Sequence, residues 1–417
     1  MAYKTNKRKI INDPVYGFIS VPGDFIFDII EHPFLQRLRN IRQLGLTSFV
    51  YPGATHTRFQ HALGALHLMG SAIETLRSKG VSISPEEEEA TLLAILLHDT
   101  GHGPFSHALE NSIISGISHE EISLLLMKKL NETYKGRLAL AIDIFTGKYR
   151  RKFLHELIAG QVDMDRLDYL NRDSFFTGVI EGSVGSDRII RMLNVVNNRL
   201  VVDEKGIYSL EKFIIARRLM YWQVYMHKTV LSAESMLVNV LRRAKELAIA
   251  GKDIYSTPAL RFFLYNNIGP ADLTDKGTFT SGHVVSNFTK LDDSDIFVSA
   301  KYWADHDDKV LADLSRRLMQ RDLLAIELQN EPFNAKRVSD LKKVACERLG
   351  IGQRMVKYYV FDGNVSNLAY APDSPEVKIL LRSGETADIQ DVSDMFDHRF
   401  LSERIIKYFL CYPKECR

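Results

Sequence analysis

Residues 90–97 form a mostly apolar run that ends directly in the ionisable pair His98-Asp99. Ser84 and Pro85 precede this run as a favourable helix start, with Ser84 at the N-cap and Pro85 in the first turn. The pattern predicts a helix that is apolar on nearly all faces and is therefore buried. An unpaired buried charge is costly, and a bound metal ion removes that cost. The fold must therefore supply compensating groups at the end of this helix.

Two further predicted helices carry candidate partners for the ionisable pair His98-Asp99. Residues 57–79 are apolar on most faces and place His61 in the middle of a buried helix. Residues 161–173 are rich in acidic groups, of which Asp165 and Asp168 lie on one helix face. Seven of the 13 histidines fall within the short stretch from residue 56 to residue 119, namely His56, His61, His67, His98, His102, His107 and His119. This region is where we expect the chemistry of the protein.

Two histidines and two carboxylates from three helices suit a divalent metal ion. Imidazole favours Zn, Fe and Ni, whereas carboxylate favours Mg and Mn, so a mixed set selects no single metal. We therefore expect Mn, Fe, Zn, Ni, Co or Mg in this site. His56 and His67 are interpreted as structural.

Composition narrows the class of protein. The 417 residues carry a formal net charge of +2, which is not the strong basic excess of a protein that coats nucleic acid. Three cysteines and no CxxC motif predict a reduced, cytoplasmic protein, with no disulfide framework and no thiolate metal site. No apolar run is long enough for a membrane span, and no secretory signal is expected.

The pattern along the chain predicts a mainly α protein. Residues 1–330 are expected to form a helical core, which includes long helices at 153–173 and 209–249 and a β-hairpin within 199–210. Residues 267–296 are rich in Gly, Ser, Thr, Asp and Asn, which predicts a flexible insertion. Residues 331–417 are expected to form a small α+β C-terminal lobe.

Four blocks of sequence resemble a known family. They cover residues 34–45, 49–61, 98–107 and 162–169, and the third reads HDTGHGPFSH. In these blocks the chain resembles the HD-domain deoxynucleoside-triphosphate (dNTP) triphosphohydrolases, a group that includes bacterial dGTPase-like enzymes. The similarity runs over roughly residues 12–230 and continues more weakly beyond. No SAM domain is expected, because few residues precede the first block.

The resemblance implies a site, residue by residue. It implies an HD-domain helical core in which the metal ligands are His61, His98, Asp99 and Asp165. It further implies that the catalytic and phosphate-lining groups are His102, His107, Glu110 and His119, with His107 as the acid or base. The implied substrate-binding residues are Gln43, Leu44, Arg58, Arg166, Tyr169, Asp173, Arg217 and Tyr225. Of these, Arg58, Arg166 and Arg217 would neutralise the triphosphate, and the others would hold the deoxyribose.

The resemblance also implies a reaction and partners. The family cleaves between the 5′ oxygen and the α-phosphorus, releasing deoxynucleoside and inorganic triphosphate. Its members are commonly allosteric dimers or tetramers regulated by nucleotides bound between subunits, so a homo-oligomer is expected. For a regulatory nucleotide site, Gln36 and Arg39 match a family position that contacts a guanine nucleotide, and Glu31 stands in the place of an Asp.

Two alternatives remain open on the sequence alone. One is an HD-domain phosphohydrolase that acts on another nucleotide or phosphoester. The other is a nucleic-acid-binding regulatory module with a relict metal site, which the basic segment 4–9 keeps open and the near-neutral composition argues against.

Overall fold

The computed structural model describes residues 9–105, 109, 112–114, 116–367, 377–395 and 405–417. Within these residues the chain is mainly helical with three small sheets, which confirms the predicted class. The first helices are α1 (Asp24–Glu31), α2 (Pro33–Gln36), α3 (Arg58–Ser78), α4 (Pro85–Leu97), α5 (His119–Thr133), α6 (Ala139–Phe145), α7 (Lys152–Ala159), α8 (Met164–Thr177) and α9 (Ser186–Met192). They are followed by α10 (Ile207–Met220), α11 (Lys228–Ile249), α12 (Pro258–Tyr265), α13 (Ser281–Phe288), α14 (Asp293–Trp303), α15 (Lys309–Met319), α16 (Ala335–Leu349) and α17 (Ile389–Val392).

The strands form three separate sheets. β1 (Ile10–Asp13) and β2 (Gly17–Ser20) make an N-terminal antiparallel hairpin. The second sheet has the order β3 (Leu193–Val196), β4 (Arg199–Asp203), β7 (Lys378–Leu380) and β8 (Thr386–Asp388), in which β4 and β7 are parallel. The third places β9 (Ile405–Tyr412) between β5 (Ala325–Gln329) and β6 (Phe361–Asn367).

The first apolar core is built around α3, which packs against α4 and α8. A reciprocal capping box starts α4, since Ser84 Oγ accepts from the Glu87 amide and Glu87 Oε2 accepts from the Ser84 amide. The apolar residues of α4 from Leu92 to Leu97 are all buried, as the sequence predicts. The helix therefore delivers its C-terminal end to the centre of this core.

Two predicted long helices are each divided in the structure. The 153–173 segment splits into α7 and α8, and Asp163 caps α8 by accepting a hydrogen bond from the Arg166 amide. The 209–249 segment is interrupted by one turn of π-helix at Tyr221–Tyr225. Helical periodicity did not reveal either break, because apolar spacing continues across both of them.

The β-hairpin lies earlier than predicted. β3 and β4 pair across a turn at Asn197 and Asn198, whose φ angles are 49° and 64°. Asparagine tolerates this left-handed conformation, which suits the tight turn of a two-residue hairpin. Residues 207–210, predicted as the second strand, instead begin α10.

The second apolar core is built around α11 and includes the segment predicted as a flexible insertion. Residues 267–296 contain α13 and the start of α14, and they bury Phe288, Leu291 and Ile296. The chain after residue 330 contributes to both cores, since Ile379 of β7 joins the first and Leu410 of β9 joins the second. None of the described helices is long and apolar enough to cross a membrane.

Candidate metal centre and substrate cavity

His61 lies on α3 and is completely buried. Its Nδ1 atom lies 2.7 Å from Oδ2 of Asp168. Several neighbours, among them Arg172 and His61, hold the pKa of Asp168 below its usual value despite burial, so this carboxyl is ionised and Nδ1–H is the donor. The Nε2 atom then faces Asp165, whose Oδ1 lies 3.1 Å away. This tautomer leaves a lone pair on Nε2, as a metal ligand requires.

His98 and Asp99 lie where α4 ends. His98 Nδ1–H donates to the Ile95 carbonyl oxygen at 2.6 Å, which fixes the tautomer because a carbonyl can only accept. Its Nε2 lies 3.4 Å from Asp99 Oδ1 and 3.4 Å from Asp165 Oδ1. The Ser123 hydroxyl donates to the His98 carbonyl and accepts from the Gly101 amide, so α5 holds this loop in place.

The donor atoms of His61, His98 and Asp99 all lie within 4.8 Å of one another, and Asp165 adjoins both histidines. Across the described residues, neither His61 Nε2 nor His98 Nε2 has a hydrogen-bond partner. Two buried imidazole nitrogens without partners, aimed at two carboxylates, fit a divalent cation. The four sequence-predicted ligands are therefore brought together.

The electrostatics of this cluster favour positive charge at its centre. Burial lowers the pKa of His61, but Asp165 and Asp168 outweigh it and raise that pKa to about 10. Burial likewise lowers the pKa of His98, which Asp99 and Asp165 raise to about 9. The carboxylates thus demand a cation, which either two protons or one metal ion can supply.

A second group of histidines adjoins Asp99. His102 Nε2 lies 3.3 Å from Asp99 Oδ1, and the His102 ring stacks on His119 with 3.8 Å between centroids. Burial and then the charge of Arg58 lower the pKa of His102 to about 3, so its imidazole is neutral. The predicted residues His107 and Glu110 lie outside the described part of the chain.

Arg58 connects the metal cluster to a cavity. Its guanidinium donates to Asp99 Oδ2 at 2.8 Å, and the same side chain lines a cavity of about 300 Å³. The predicted residues Gln43, Leu44 and Tyr225 line this cavity too. It also contains lining residues that the sequence did not single out, namely Arg42, Gly45, Thr47, Phe105, Met226, Leu231, Glu234 and Val365.

Asp173 is the centre of a buried polar triad beside this cavity. Its Oδ2 accepts from the Tyr225 hydroxyl at 2.7 Å, and its Oδ1 lies 2.7 Å from His56 Nε2. The His56 ring stacks on Phe176 with 4.5 Å between centroids. His56, which the sequence analysis left as structural, therefore holds a predicted substrate-binding residue. The feature of the sequence that could have indicated this role is the position of His56, five residues before His61.

The remaining predicted substrate residues occupy nearby positions. Arg166 pairs with Asp163 and donates to the Gly160 carbonyl at 2.5 Å. Arg217 is buried, with Nη1 3.4 Å from Gln161 Oε1. Tyr169 packs edge-on against Tyr225 at 6.1 Å between centroids. Their roles toward a substrate stay predictions.

The predicted regulatory residues lie around α2. Gln36 Nε2 donates to the Ile30 carbonyl at 2.8 Å, and Arg39 Nε donates to Gln36 Oε1 at 2.7 Å. Arg39 also covers the Phe59 ring, while Glu31 ends α1 at an exposed position. Their regulatory role stays a prediction.

Two buried arginines contact residues of the candidate metal centre, and the sequence analysis assigned neither of them a role. Arg37 Nη2 donates to the carbonyls of Thr100 and His102, which fixes the loop after Asp99. Arg172 pairs with Asp168 and, across the chain, with Asp13. Arg37 acts only through residues distant in sequence, whereas Arg172 pairs both with Asp168, four residues earlier on α8, and with the distant Asp13.

Known proteins resemble this chain in sequence and structure. The HD domain matches residues 58–173, and an HD associated region matches residues 184–260. The uncharacterized protein YwfO of Bacillus subtilis is 31% identical, over 100% of this chain and 95% of the relative. A crystal structure of a phosphohydrolase from Bacteroides thetaiotaomicron is 50% identical, with a TM-score of 0.94 and coverage of 98% of this chain and 100% of that one.

A deoxynucleoside triphosphate triphosphohydrolase SAMHD1 homolog from Dictyostelium discoideum is 34% identical over 58% of this chain and 51% of the relative. This chain therefore spans about half the length of that relative. The buried His/Asp cluster on α3, α4 and α8 lies within the matched HD domain and has the donors of a metal centre. The chain belongs to the HD-domain family, in the group that contains the phosphohydrolase from Bacteroides thetaiotaomicron and YwfO.

Proposed function

We propose that this protein is a metal-dependent hydrolase that cleaves deoxynucleoside triphosphates to deoxynucleoside and inorganic triphosphate. One observation carries the proposal. Arg58 contacts the metal ligand Asp99 and also lines the cavity that holds Gln43, Leu44 and Tyr225. A cation suited to binding phosphate thus lies between the candidate metal site and a small cavity with polar and aromatic walls. The similarity to the SAMHD1 homolog, which is named as a dNTP triphosphohydrolase, supports the same substrate.

His61, His98, Asp99 and Asp165 would hold the metal. When bound, a divalent ion polarises a phosphoryl oxygen and lowers the pKa of a bound water. The chain holds His61 and His98 in defined arrangements, because their hydrogen bonds to Asp168 and to the Ile95 carbonyl fix the two histidine tautomers. Fixed ring orientations keep both Nε2 atoms directed at the centre without reorganisation.

The phosphate chain would be bound by Arg58, Arg166 and Arg217, with His102 and His119 beside it. Arginine remains charged and offers several donors in one plane, which suits phosphate oxygens. His102 is neutral, so it would donate a hydrogen bond without adding charge. These groups would stabilise negative charge as it grows on the phosphate oxygens during cleavage.

The deoxyribose would lie between Tyr225, Tyr169 and Leu44. Asp173 is held by His56 and Tyr225, so it is positioned in advance to accept a hydrogen bond from the 3′-hydroxyl. An aromatic ring at the 2′ position would exclude the ribose hydroxyl by shape. We further propose that His107 with Glu110 moves the proton needed by the leaving 5′ oxygen.

We also propose that the protein forms a homo-oligomer whose assembly responds to nucleotide. Glu31, Gln36 and Arg39 would contact a regulatory nucleotide. Light scattering with and without dNTPs tests this part, and a monomer under all conditions would contradict it.

The function is tested by product analysis. Purified protein is incubated with each dNTP and each NTP in the presence of Mg, Mn or Co, and products are followed by phosphorus NMR. We expect inorganic triphosphate and deoxynucleoside, with dNTP preferred over NTP. Pyrophosphate with a monophosphate, or equal turnover of ATP and dATP, would instead support a general nucleotide phosphohydrolase.

A further inference from the structure

We propose that Glu234 makes this site selective for guanine, by accepting hydrogen bonds from the N1–H and N2–H groups of the base. This inference rests on the proposed hydrolysis of dNTPs and adds a base preference to it. Glu234 is a half-buried residue of α11, beside Ala233 and Leu237 of the second apolar core, and it lines the cavity that Arg58 joins to the candidate metal centre.

The surroundings of Glu234 are those of a carboxyl group that is available to bind a ligand. The cavity that Glu234 lines has apolar residues in its wall, namely Phe105, Met226, Leu231 and Val365, together with the polar residues Arg42, Gln43 and Arg58. Considering only the residues that the structure describes, its carboxyl forms neither a hydrogen bond nor an ion pair. Burial in these surroundings raises its pKa to about 7. An ionisable group kept in such a place without a partner is costly unless a ligand satisfies it.

The lining of the cavity includes two chemically different charged groups, Arg58 and Glu234. Arg58 is bonded to Asp99 and marks the place at which phosphate would lie. Glu234 lies on a helix that contributes nothing to the four predicted metal ligands, and it approaches the loop at Gly45. A Cβ atom at Gly45 would lie 4.0 Å from Glu234 Oε1 and 3.4 Å from Phe105 Cδ1. With phosphate at Arg58 and sugar at Tyr225, we place the base against Gly45, Phe105 and Glu234, which lie close to one another in the same cavity.

The chemistry of a carboxylate then selects the base. Two carboxylate oxygens accept two parallel donors. On its pairing edge guanine presents N1–H and N2–H side by side, whereas adenine, cytosine and thymine each present only one such donor group beside acceptors. A carboxylate at this position thus matches guanine and opposes the acceptor atoms of the other bases. A bidentate contact of this kind discriminates between bases by roughly 5- to 150-fold.

The test compares kcat/KM for dGTP, dITP and dATP in the wild type, Glu234→Gln and Glu132→Gln. The base of dITP lacks only the N2 amino group, so it removes one of the two proposed contacts. We expect the wild type to prefer dGTP over dITP, and Glu234→Gln to lower kcat/KM for dGTP on the order of 10- to 100-fold while changing dATP much less. Glu132→Gln is the matched control, because Glu132 is an exposed carboxyl at the end of α5.

The outcomes separate this inference from the proposed function. If no dNTP is hydrolysed, the proposed function fails and the inference fails with it. If dNTPs are hydrolysed but dGTP and dITP are turned over equally, or if Glu234→Gln keeps the wild-type ratio, the inference alone is overturned. Glu234→Asp is a second variant that keeps the test decisive if Glu234→Gln does not fold. We expect Glu234→Asp to keep part of the dGTP preference, because it retains the carboxylate.

Discussion

Asp168 and Arg172 form a doubly hydrogen-bonded ion pair that is fully buried. Arg172 Nε lies 2.9 Å from Asp168 Oδ2, and Arg172 Nη2 lies 3.0 Å from Asp168 Oδ1. The same Asp168 oxygen Oδ2 accepts from His61, and Arg172 Nη1 reaches Asp13 Oδ2 at 2.8 Å. A continuous chain of charged groups therefore links the N-terminal hairpin to the metal-facing histidine.

Removal of Arg172 should destabilise the protein. The substitution Arg172→Met leaves the carboxylates of Asp168 and Asp13 buried without a counter-charge, which typically costs about 3–5 kcal/mol. Urea unfolding followed by circular dichroism measures the loss. Arg261→Met is the control, since Arg261 pairs with an exposed carboxylate and we expect little change there. An equal, small effect of both variants would show that the buried pair contributes little.

Gly64→Ala should disturb the metal centre through Asp168. A Cβ atom at Gly64 would lie 1.9 Å from Asp168 Oδ1 and 2.2 Å from Arg172 Nη2, so the pair must move. We expect a lower melting temperature and weaker metal binding, measured by titration against a chelator. Gly70 lies on the same helix, and among the described residues no atom lies within 4 Å of a Cβ atom placed there, so Gly70→Ala should stabilise the helix by about 0.5–1 kcal/mol. Unchanged metal affinity in Gly64→Ala would separate Asp168 from the orientation of His61.

Asp165→Ala should lose bound metal and activity together. Its Oδ1 faces both orphaned histidine nitrogens, whereas Asp163 pairs with Arg166 and Asp168 pairs with Arg172. Neither neighbouring aspartate is available to replace it. Elemental analysis of purified protein gives the metal content, and Asp143→Ala, an exposed aspartate on α6, is the control. Full metal content in the Asp165 variant would remove this residue from the ligand set.

Substitutions of Tyr225 should separate two contributions to sugar recognition, namely the hydrogen bond to Asp173 and the exclusion of ribose by the aromatic ring. Tyr225→Phe removes the hydrogen bond to Asp173 but keeps the ring, so we expect weaker turnover of dNTPs with their preference over NTPs retained. Tyr225→Ala removes the ring as well and should reduce that preference, which exclusion by shape sets on the order of 10²-fold. Steady-state kinetics with dATP and ATP measure both effects. A preference that survives Tyr225→Ala would assign the exclusion to another ring, such as Tyr169.

The base preference should depend on pH. Burial raises the pKa of Glu234 to about 7, so the free protein holds a carboxylate above that pH and a neutral acid below it. Only the carboxylate accepts both guanine donors, so the ratio of kcat/KM for dGTP to that for dATP should fall as pH drops through about 7. Arg42, Arg58, Tyr221 and Tyr225 line the same cavity. A ratio that is constant from pH 6 to pH 8, or equally pH-dependent in Glu234→Gln, would contradict this assignment.

The sequence alone determined the class of fold, and it pointed to the four candidate metal ligands that the structure brings together. Apolar periodicity is a local property, so α3 and α4 could be predicted with nearly their observed bounds, and the burial of His61, His98 and Asp99 followed from the helices that carry them. The choice of Asp165 came from the sequence blocks, and its position beside both histidines agrees with that choice. These features are encoded within single segments of the chain.

Only the tertiary structure decided what lies around that centre. The pairing of Arg172 with Asp13 joins residues 159 positions apart, and that of His56 with Asp173 joins residues 117 apart, so no local pattern records either contact. The breaks at Gly160 and at Tyr221–Tyr225, and the place of Glu234 in the cavity, likewise depend on how helices pack. Side-chain partners and electrostatic environment are set by the approach of distant segments, which is the part of the fold that a single sequence leaves open.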